Sequence, residues 1–341
     1  MKKIGVLTGG ADCPGLNSVI RAVVRKAMIE GFVVTGIKNG WQGLVNNDMR
    51  ILDPRSTSGI LDRGGTILGT SRLNPLKDSA KVKKIAENYK RSGIDALIAI
   101  GGEVTLKIAL QLHKKGVIKV VGVPKSIDNA LSGTDYAFGF ETAVNIATEC
   151  IDRLHTTAES HHRIIVIEVM GQHTGWIALK SGIAGGADMI LVPEIQADLD
   201  KVCTELKARH RRGKNFSIIV VSEGAWIRGY DAQKMTQPHH RFGNVGEYVA
   251  QTIEDKTGYE TRVSVLGHIQ RGGSPVAFDR VLGTMFGIQA VEMIKEGRFG
   301  CMVSMRDNKI QCVDIEKAVE QHKAIDMDLY NVASVFFAGS S

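Results

Sequence analysis

The sequence lacks an apolar run long enough to span a membrane, a secretory core, an Arg/Ser-rich transit segment and a paired-cysteine signature. Its longest apolar stretches, such as Ile164-Ile165-Val166-Ile167, are broken by charge well short of the ~20 residues a span needs. Met1-Lys2-Lys3 leads straight into a strand-like segment, so the expectation is a cytoplasmic chain with no membrane contact. The five cysteines (Cys13, Cys150, Cys203, Cys301, Cys312) are odd in number, widely spaced and without C-x-x-C. That argues against a disulfide framework or a zinc site, and Cys13, the one beside a motif, reads as structural. No internal repeat or low-complexity linker stands out. With 43% hydrophobic and 23% charged residues, wholesale disorder is excluded. The net charge of +7 suits an anionic substrate or nucleic acid, and a solvated surface explains it equally well.

Glycine, in contrast, is abundant: 38 residues, often paired after apolar runs, where backbone approaches a ligand or turns sharply. The 341 residues allow about two domains at ~150 residues each. Short β-branched runs alternate with helical patterns. Strands are expected over Lys3 to Thr8, Phe32 to Ile37, Ala96 to Ile100, Val117 to Val123, Arg163 to Val169, Met189 to Val192, Ser217 to Val221 and Thr261 to Leu266. Helices are expected over Asn17 to Glu30, Ala80 to Arg91, Leu106 to Lys115, Glu141 to His155, Leu199 to Arg211 and Val245 to Lys256. Strands apolar on both faces that alternate with helices predict covered parallel sheets. There are too many for one ordinary open sheet, so two similar α/β lobes are expected. Ile60 to Arg72 breaks the pattern as a hairpin or loop.

Ligands of such folds sit beyond the carboxyl ends of the strands, and chemistry-bearing residues follow the strands here. Gly9-Gly10-Ala11-Asp12 and Gly101-Gly102-Glu103-Val104-Thr105 each open onto a helix, where free N–H groups and the dipole favour anions. Neither is a Walker A loop or G-x-G-x-x-G, and either pair can simply serve a tight turn. Glu103 can ligate Mg²⁺ or act only as a first-turn charge. Asp128, after Lys125 and Ser126, is a candidate base for an attacking hydroxyl; an Asx turn through Asn129 is the bland reading. Arg163, Arg262, His268 and Arg271 fall at strand ends, where together they can clamp a phosphate. Singly, each reads as surface charge. Arg209-His210-Arg211-Arg212-Gly213 reads as a basic helix end.

Taken in order, these loops resemble the phosphofructokinase family, ATP- or pyrophosphate-dependent, from Lys2 to about Phe337. Ile4 to Gly10 with Asp12, Pro14-Gly15 and Asn17 resembles its first phosphate loop, and Gly64-Gly65-Thr66 through Arg72 the loop supplying a donor-phosphate arginine. Ile127-Asp128-Asn129 resembles the catalytic-base segment. Met170-Gly171, Glu223, Glu260-Thr261-Arg262 and Gly267 through Pro275 resemble the fructose 6-phosphate site.

The resemblance implies two doubly wound lobes with mostly parallel sheets. Residues 1–140 with about 270–320 would form a donor lobe, and 141–269 with about 321–341 a sugar-phosphate lobe. It implies donor binding by Gly10, Ala11, Arg72, Gly102, Glu103, Val104, Thr105 and Lys125, with Mg²⁺ on Glu103. Substrate would be held by Ser126, Asp128, Arg163, Met170, Gly171, Gln172, Glu223, Arg262, His268 and Arg271. In the family Arg163 and Arg262 reach a neighbouring subunit's site, which implies a homo-oligomer, dimer or tetramer. Arg212 and Lys214 resemble part of an effector site, with His155 where arginine is common.

The departures lie on the donor and transition-state side. Ala11 replaces a glycine, and Val104 stands where ATP users carry Gly and pyrophosphate users Asp. Lys107 and Ile108 sit where the adenine wall is small, Ala130 replaces an aspartate, and Gln172 replaces an arginine. The leading expectation is a phosphotransferase making fructose 1,6-bisphosphate, with pyrophosphate favoured over ATP. The alternative is a catalytically weak homologue that binds a sugar phosphate as a regulatory protein. Nucleic acid is not an expected partner, because the arginines fall at separate strand ends and form no stripe.

Overall fold

The structure, a computed structural model, describes residues 2–230 and 244–337. In chain order the elements are β1 (Lys3–Gly9), α1 (Leu16–Ile29), β2 (Val33–Ile37), α2 (Trp41–Asn46), β3 (Met49–Leu52), α3 (Ser79–Ser92), β4 (Ala96–Gly101), α4 (Glu103–Lys114) and β5 (Val120–Pro124). Then come α5 (Phe140–His161), β6 (Ile164–Val169), α6 (Trp176–Ala184), β7 (Met189–Leu191), α7 (Leu199–Arg211), β8 (Ser217–Ser222), α8 (Asn244–Thr257) and β9 (Thr261–Val265). The chain closes with α9 (Ala277–Lys295), β10 (Cys301–Arg306), β11 (Lys309–Asp314), α10 (Ile315–Ala318) and α11 (Met327–Phe337). Two compact units result. Unit 1 is Met1–Ile127, Leu131–Thr142 and Arg271–His322, and unit 2 is Asp128–Ala130, Ala143–Gln270 and Lys323–Ser341.

Unit 1 carries a seven-stranded sheet in the order β11-β10-β5-β4-β1-β2-β3. It is parallel except at its edges, where β3 and β11 run antiparallel to their neighbours. The chain leaves β1 toward β2 on one side and later returns on the other as β4, so the strand order reverses between β1 and β4. Their ends are level: Gly9 pairs with Gly101, and Gly101 with Pro124 on β5. Unit 2 carries a four-stranded parallel sheet, β7-β8-β6-β9. Central strands in both units are buried on both faces, as their near-continuous apolar runs lead one to expect, with Glu168 in β6 the one charged residue in them. Each unit has its own core, around Leu7, Leu97 and Leu106 in unit 1 and Val166, Ile219 and Val249 in unit 2.

Several boundaries differ from the sequence reading for local reasons. β5 begins at Val120, not Val117, because Gly116 takes φ +69° and the Val117 N–H closes the end of α4 on the Leu112 carbonyl at 3.0 Å. α5 continues past His155 to His161. The β10–β11 hairpin was not read from the sequence. Its two-residue turn is Asp307-Asn308, both with positive φ, as a type I′ turn demands. Ile60 to Arg72 forms a loop without strand pairing. The basic run after Lys207 ends α7 as read, with Arg209 paired to Asp188 at 2.7 Å. No helix among the described residues is long and apolar enough to cross a membrane.

α9 packs along α1, and Phe286 on its inner face is fully buried. Phe286→Ala should cost about 3–5 kcal/mol in chemical denaturation. Phe336→Ala, at a position two-thirds exposed, should stay within about 0.5 kcal/mol. Equal effects at the two sites would contradict this packing.

Candidate active site

In unit 1 the level ends of β1, β4 and β5 bring three loops side by side. Gly10 turns at φ +78°, a conformation glycine adopts without strain, and its N–H donates to the Ser71 carbonyl at 3.2 Å. The buried Thr105 side chain fills the space against Gly9 and Gly101. Lys125 is buried with its Nζ on the Ala11 carbonyl, and its N–H donates to the Gly101 carbonyl at 3.1 Å. Those two N–H groups are already given to carbonyls, so what a small anion would meet here is the uncapped N-terminus of α4, with the Lys125 ammonium beside Gly10.

The Arg63–Arg72 loop is anchored to the same place by a residue whose role the sequence reading did not assign. Asn17 is buried on α1, and its Nδ2 donates to the carbonyls of Arg63 at 2.9 Å and Gly64 at 3.3 Å. Its Oδ1 accepts from Ile67 N at 2.9 Å. Thr70 Oγ1 donates to the Gly10 carbonyl at 2.5 Å, and Thr8 Oγ1 to the Gly69 carbonyl at 2.7 Å. Gly64 has to be glycine, because a Cβ would run into the Gly273 carbonyl. That contact joins the Arg63–Arg72 loop to the segment after Arg271. Arg72 itself is exposed.

Glu103 opens α4, with Lys107 paired to it one turn on and His322 Nδ1 at 3.6 Å. Among the described residues no cluster of three acidic, His or Cys groups could hold a metal. A lone carboxylate fits Mg²⁺ when donor phosphates supply further oxygens, provided Lys107 swings away. Val104 is 63% exposed at the start of α4. Ile108 lies 2% exposed in the unit 1 core. It presents no surface to a nucleotide, which leaves Val104 and Lys107, both exposed, as the residues of that group that can reach one. Cys13 is fully buried, which pushes its thiol up to about 12 and leaves it inert.

In unit 2 the residues after β6, β8 and β9 lie abreast in the same way. Val169 pairs with Ser222, and Glu168 with Val265. The Glu223 carboxylate accepts from Gly171 N at 3.3 Å, and Ser222 Oγ donates to the Gly171 carbonyl at 2.5 Å. Gln270 is fully buried; its Oε1 accepts from Met170 N at 3.3 Å and its Nε2 donates to the Gly267 carbonyl at 3.0 Å. A cavity of about 30 Å³ is lined by Glu168, Met170, Glu223, Gly267 and His268, among others. It is small and mostly apolar in lining, with Glu168, Glu223 and His268 bringing polar groups to it, and His268 is exposed. Asp128 belongs to unit 2, and its carbonyl accepts from Thr174 Oγ1 at 3.0 Å. Ser126 and Arg271 belong to unit 1.

Arg163 and Arg262 are placed differently. They flank the amino ends of β6 and β9 and both pair with Glu260, Arg163 at 2.8 Å. Within one chain they stand a strand length, ~20 Å at about 3.3 Å per residue, from Met170 and His268. Within unit 2, Arg163 and Arg262 therefore do not join His268.

A family model for phosphofructokinase matches residues 3–294. The chain belongs to the phosphofructokinase family. It is 52% identical to a pyrophosphate–fructose 6-phosphate 1-phosphotransferase of Streptomyces coelicolor, over 98% of this chain and 99% of the relative. It is 45% identical to an ATP-dependent 6-phosphofructokinase of Corynebacterium efficiens, over 98% and 99%. Phosphofructokinase from Saccharomyces cerevisiae superposes with a TM-score of 0.81 at 32% identity, over 98% of this chain and 47% of the yeast chain. A pyrophosphate-dependent phosphofructokinase from Nitrosospira multiformis shares the fold, with a TM-score of 0.85 at 20% identity, over 100% and 93%. Named phosphotransferases that match end to end do not favour the purely regulatory alternative.

Glu168 gives this phosphofructokinase-family site a pH signature. Burial raises its carboxyl pKa, against the lowering effect of the Gly246 N–H bond at 2.8 Å, and Glu223 and Glu247 raise it further. The folded protein then holds the proton more tightly than the unfolded chain, so stability falls as pH rises from the ordinary Glu value through the higher folded one. Glu168→Gln should flatten that decline in denaturant titrations across pH. An unchanged slope would show that Glu168 is ionised without cost.

Proposed function

We propose that the chain transfers a phosphoryl group to the 1-hydroxyl of fructose 6-phosphate, giving fructose 1,6-bisphosphate, with pyrophosphate preferred over ATP as donor. The observation that carries this reading is the set of aligned strand ends in each unit: the uncapped start of α4 beside Lys125 in one, and in the other Met170, Glu223 and His268 around one small cavity. The unit with Gly10, Arg72, Glu103 and Lys125 would take the donor, and the unit with Glu223 and His268 the sugar phosphate. Asp128 would draw the proton from the attacking hydroxyl, Lys125 and Arg72 would hold donor phosphate, and Arg271 the acceptor phosphate. Mg²⁺ on Glu103, when bound with the donor, would neutralise charge on its phosphates.

The position of Arg163 and Arg262 supports a homo-oligomer, dimer or tetramer, in which they serve a second copy's site. The exposed Val104 supports pyrophosphate, since its branched side chain stands where close approach of a nucleotide needs glycine. A cytoplasmic enzyme of glycolytic type fits this chemistry.

Calorimetric titration with fructose 6-phosphate tests the acceptor side, and no binding at millimolar concentration would overturn the proposal. Each charge-assisted bond contributes about 1.5–3 kcal/mol, so Arg271→Ala should weaken binding about tenfold or more. On the donor side, Val104→Gly alone should improve ATP use in a coupled rate assay. Ile108→Gly would instead cut a cavity into the core, so it is left intact. Ala130→Asp with Gln172→Arg should raise turnover with either donor, by up to about 10²-fold if the arginine meets transition-state charge. No gain would refute the account of a weakened catalytic side.

A further inference from the structure

Asp128 sits in a short segment, Asp128–Ala130, that groups with unit 2 although the chain on either side of it groups with unit 1. Two hydrogen bonds fasten its main chain there. Thr174 Oγ1 donates to the Asp128 carbonyl at 3.0 Å, and the Lys323 N–H to the Ala130 carbonyl at 2.9 Å. Between them Asn129, buried and at φ +49°, turns the chain sharply.

Both donors are themselves fixed. Thr174 is 1% exposed and directly precedes Gly175, whose N–H donates to both carboxylate oxygens of Glu194 at 3.1 Å. The same carboxylate accepts from Ile325 N at 3.2 Å. Trp176 Nε1 donates to the Lys323 carbonyl at 2.9 Å, and Lys323 Nζ lies 5.3 Å from the Trp176 ring centre. Glu194, Thr174, Trp176 and the strap Lys323–Ile325 thus form one frame around the segment that bears Asp128.

We propose that Thr174, with the Lys323–Ile325 strap behind it, is a positioning residue for the Asp128 carboxylate. Its hydroxyl donates to the Asp128 main chain and acts through the direction in which that side chain leaves the backbone. The inference rests on the reading of Asp128 as base, but placement of the segment can be measured without turnover.

The test compares full-length wild type with Thr174→Val, which removes the hydroxyl at nearly constant volume, and Thr174→Ser, which retains it. Rates are measured with Mg²⁺, fructose 6-phosphate and each of pyrophosphate and ATP. Thr174→Val should lower kcat about tenfold while KM for fructose 6-phosphate stays within about twofold, and Thr174→Ser should restore kcat. A change in KM alone, or wild-type kcat in Thr174→Val, overturns the proposal. Hydrogen exchange over residues 127–131 gives the second readout: faster in Thr174→Val, unchanged in Thr174→Ser. If wild type turns over neither donor, the functional reading fails, while the exchange result still decides whether Thr174 places the segment. Should Thr174→Val not fold, Trp176→Phe, which frees the Lys323 carbonyl, should show the same kcat loss, and an unaltered kcat there overturns the proposal.

Discussion

Parallel register is the constraint on which the site depends. In unit 1 it sets Gly9 level with Gly101 and Gly101 level with Pro124; in unit 2 it sets Val169 level with Ser222. A slip of one residue would turn the side chains to the other face and stagger the loops. Because the strands are apolar on both faces, burial fixes where each segment sits in the sheet, and the chemistry appears where burial stops. The residues after the strands need no long-range instruction to converge.

What register does not provide, buried polar side chains supply. Asn17 spends its whole side-chain amide on the loop that leads to Arg72. Gln270 does the same between Met170 and Gly267. Such groups are costly to bury unpaired, so each specifies one loop geometry. Of the catalytic-side departures, Val104 and Gln172 are exposed, and Ala130 keeps its place through its carbonyl, a main-chain bond that does not depend on its side chain.

Much of this was legible in the sequence. Strand positions, the alternation with helices and the loops that matter all follow from Val/Ile runs ending in Gly-Gly, Pro-Lys or Ser-Glu. Less was legible at the edges. β3 pairs on one side only and exposes two of its four residues, so its pattern is weak. The β10–β11 hairpin had a signal in Asp307-Asn308, a turn pair that tolerates positive φ. The family resemblance makes Ile108 a donor-site residue, but helical geometry turns that position toward the core. The sequence already puts Arg163 and Arg262 at the starts of their expected strands and His268 beyond the end of one. Grouping them only as strand-end residues overlooks that parallel strands hold those ends apart.

The proposed activity is that of a phosphotransferase that prefers pyrophosphate to ATP as donor. Phosphorus-31 NMR of the full-length protein with Mg²⁺, fructose 6-phosphate and either pyrophosphate or ATP tests that directly. The account predicts that pyrophosphate is consumed with matching appearance of orthophosphate and fructose 1,6-bisphosphate, and that ATP is consumed more slowly. Fructose 6-phosphate that stays unphosphorylated with both donors, or is phosphorylated faster by ATP, would contradict it.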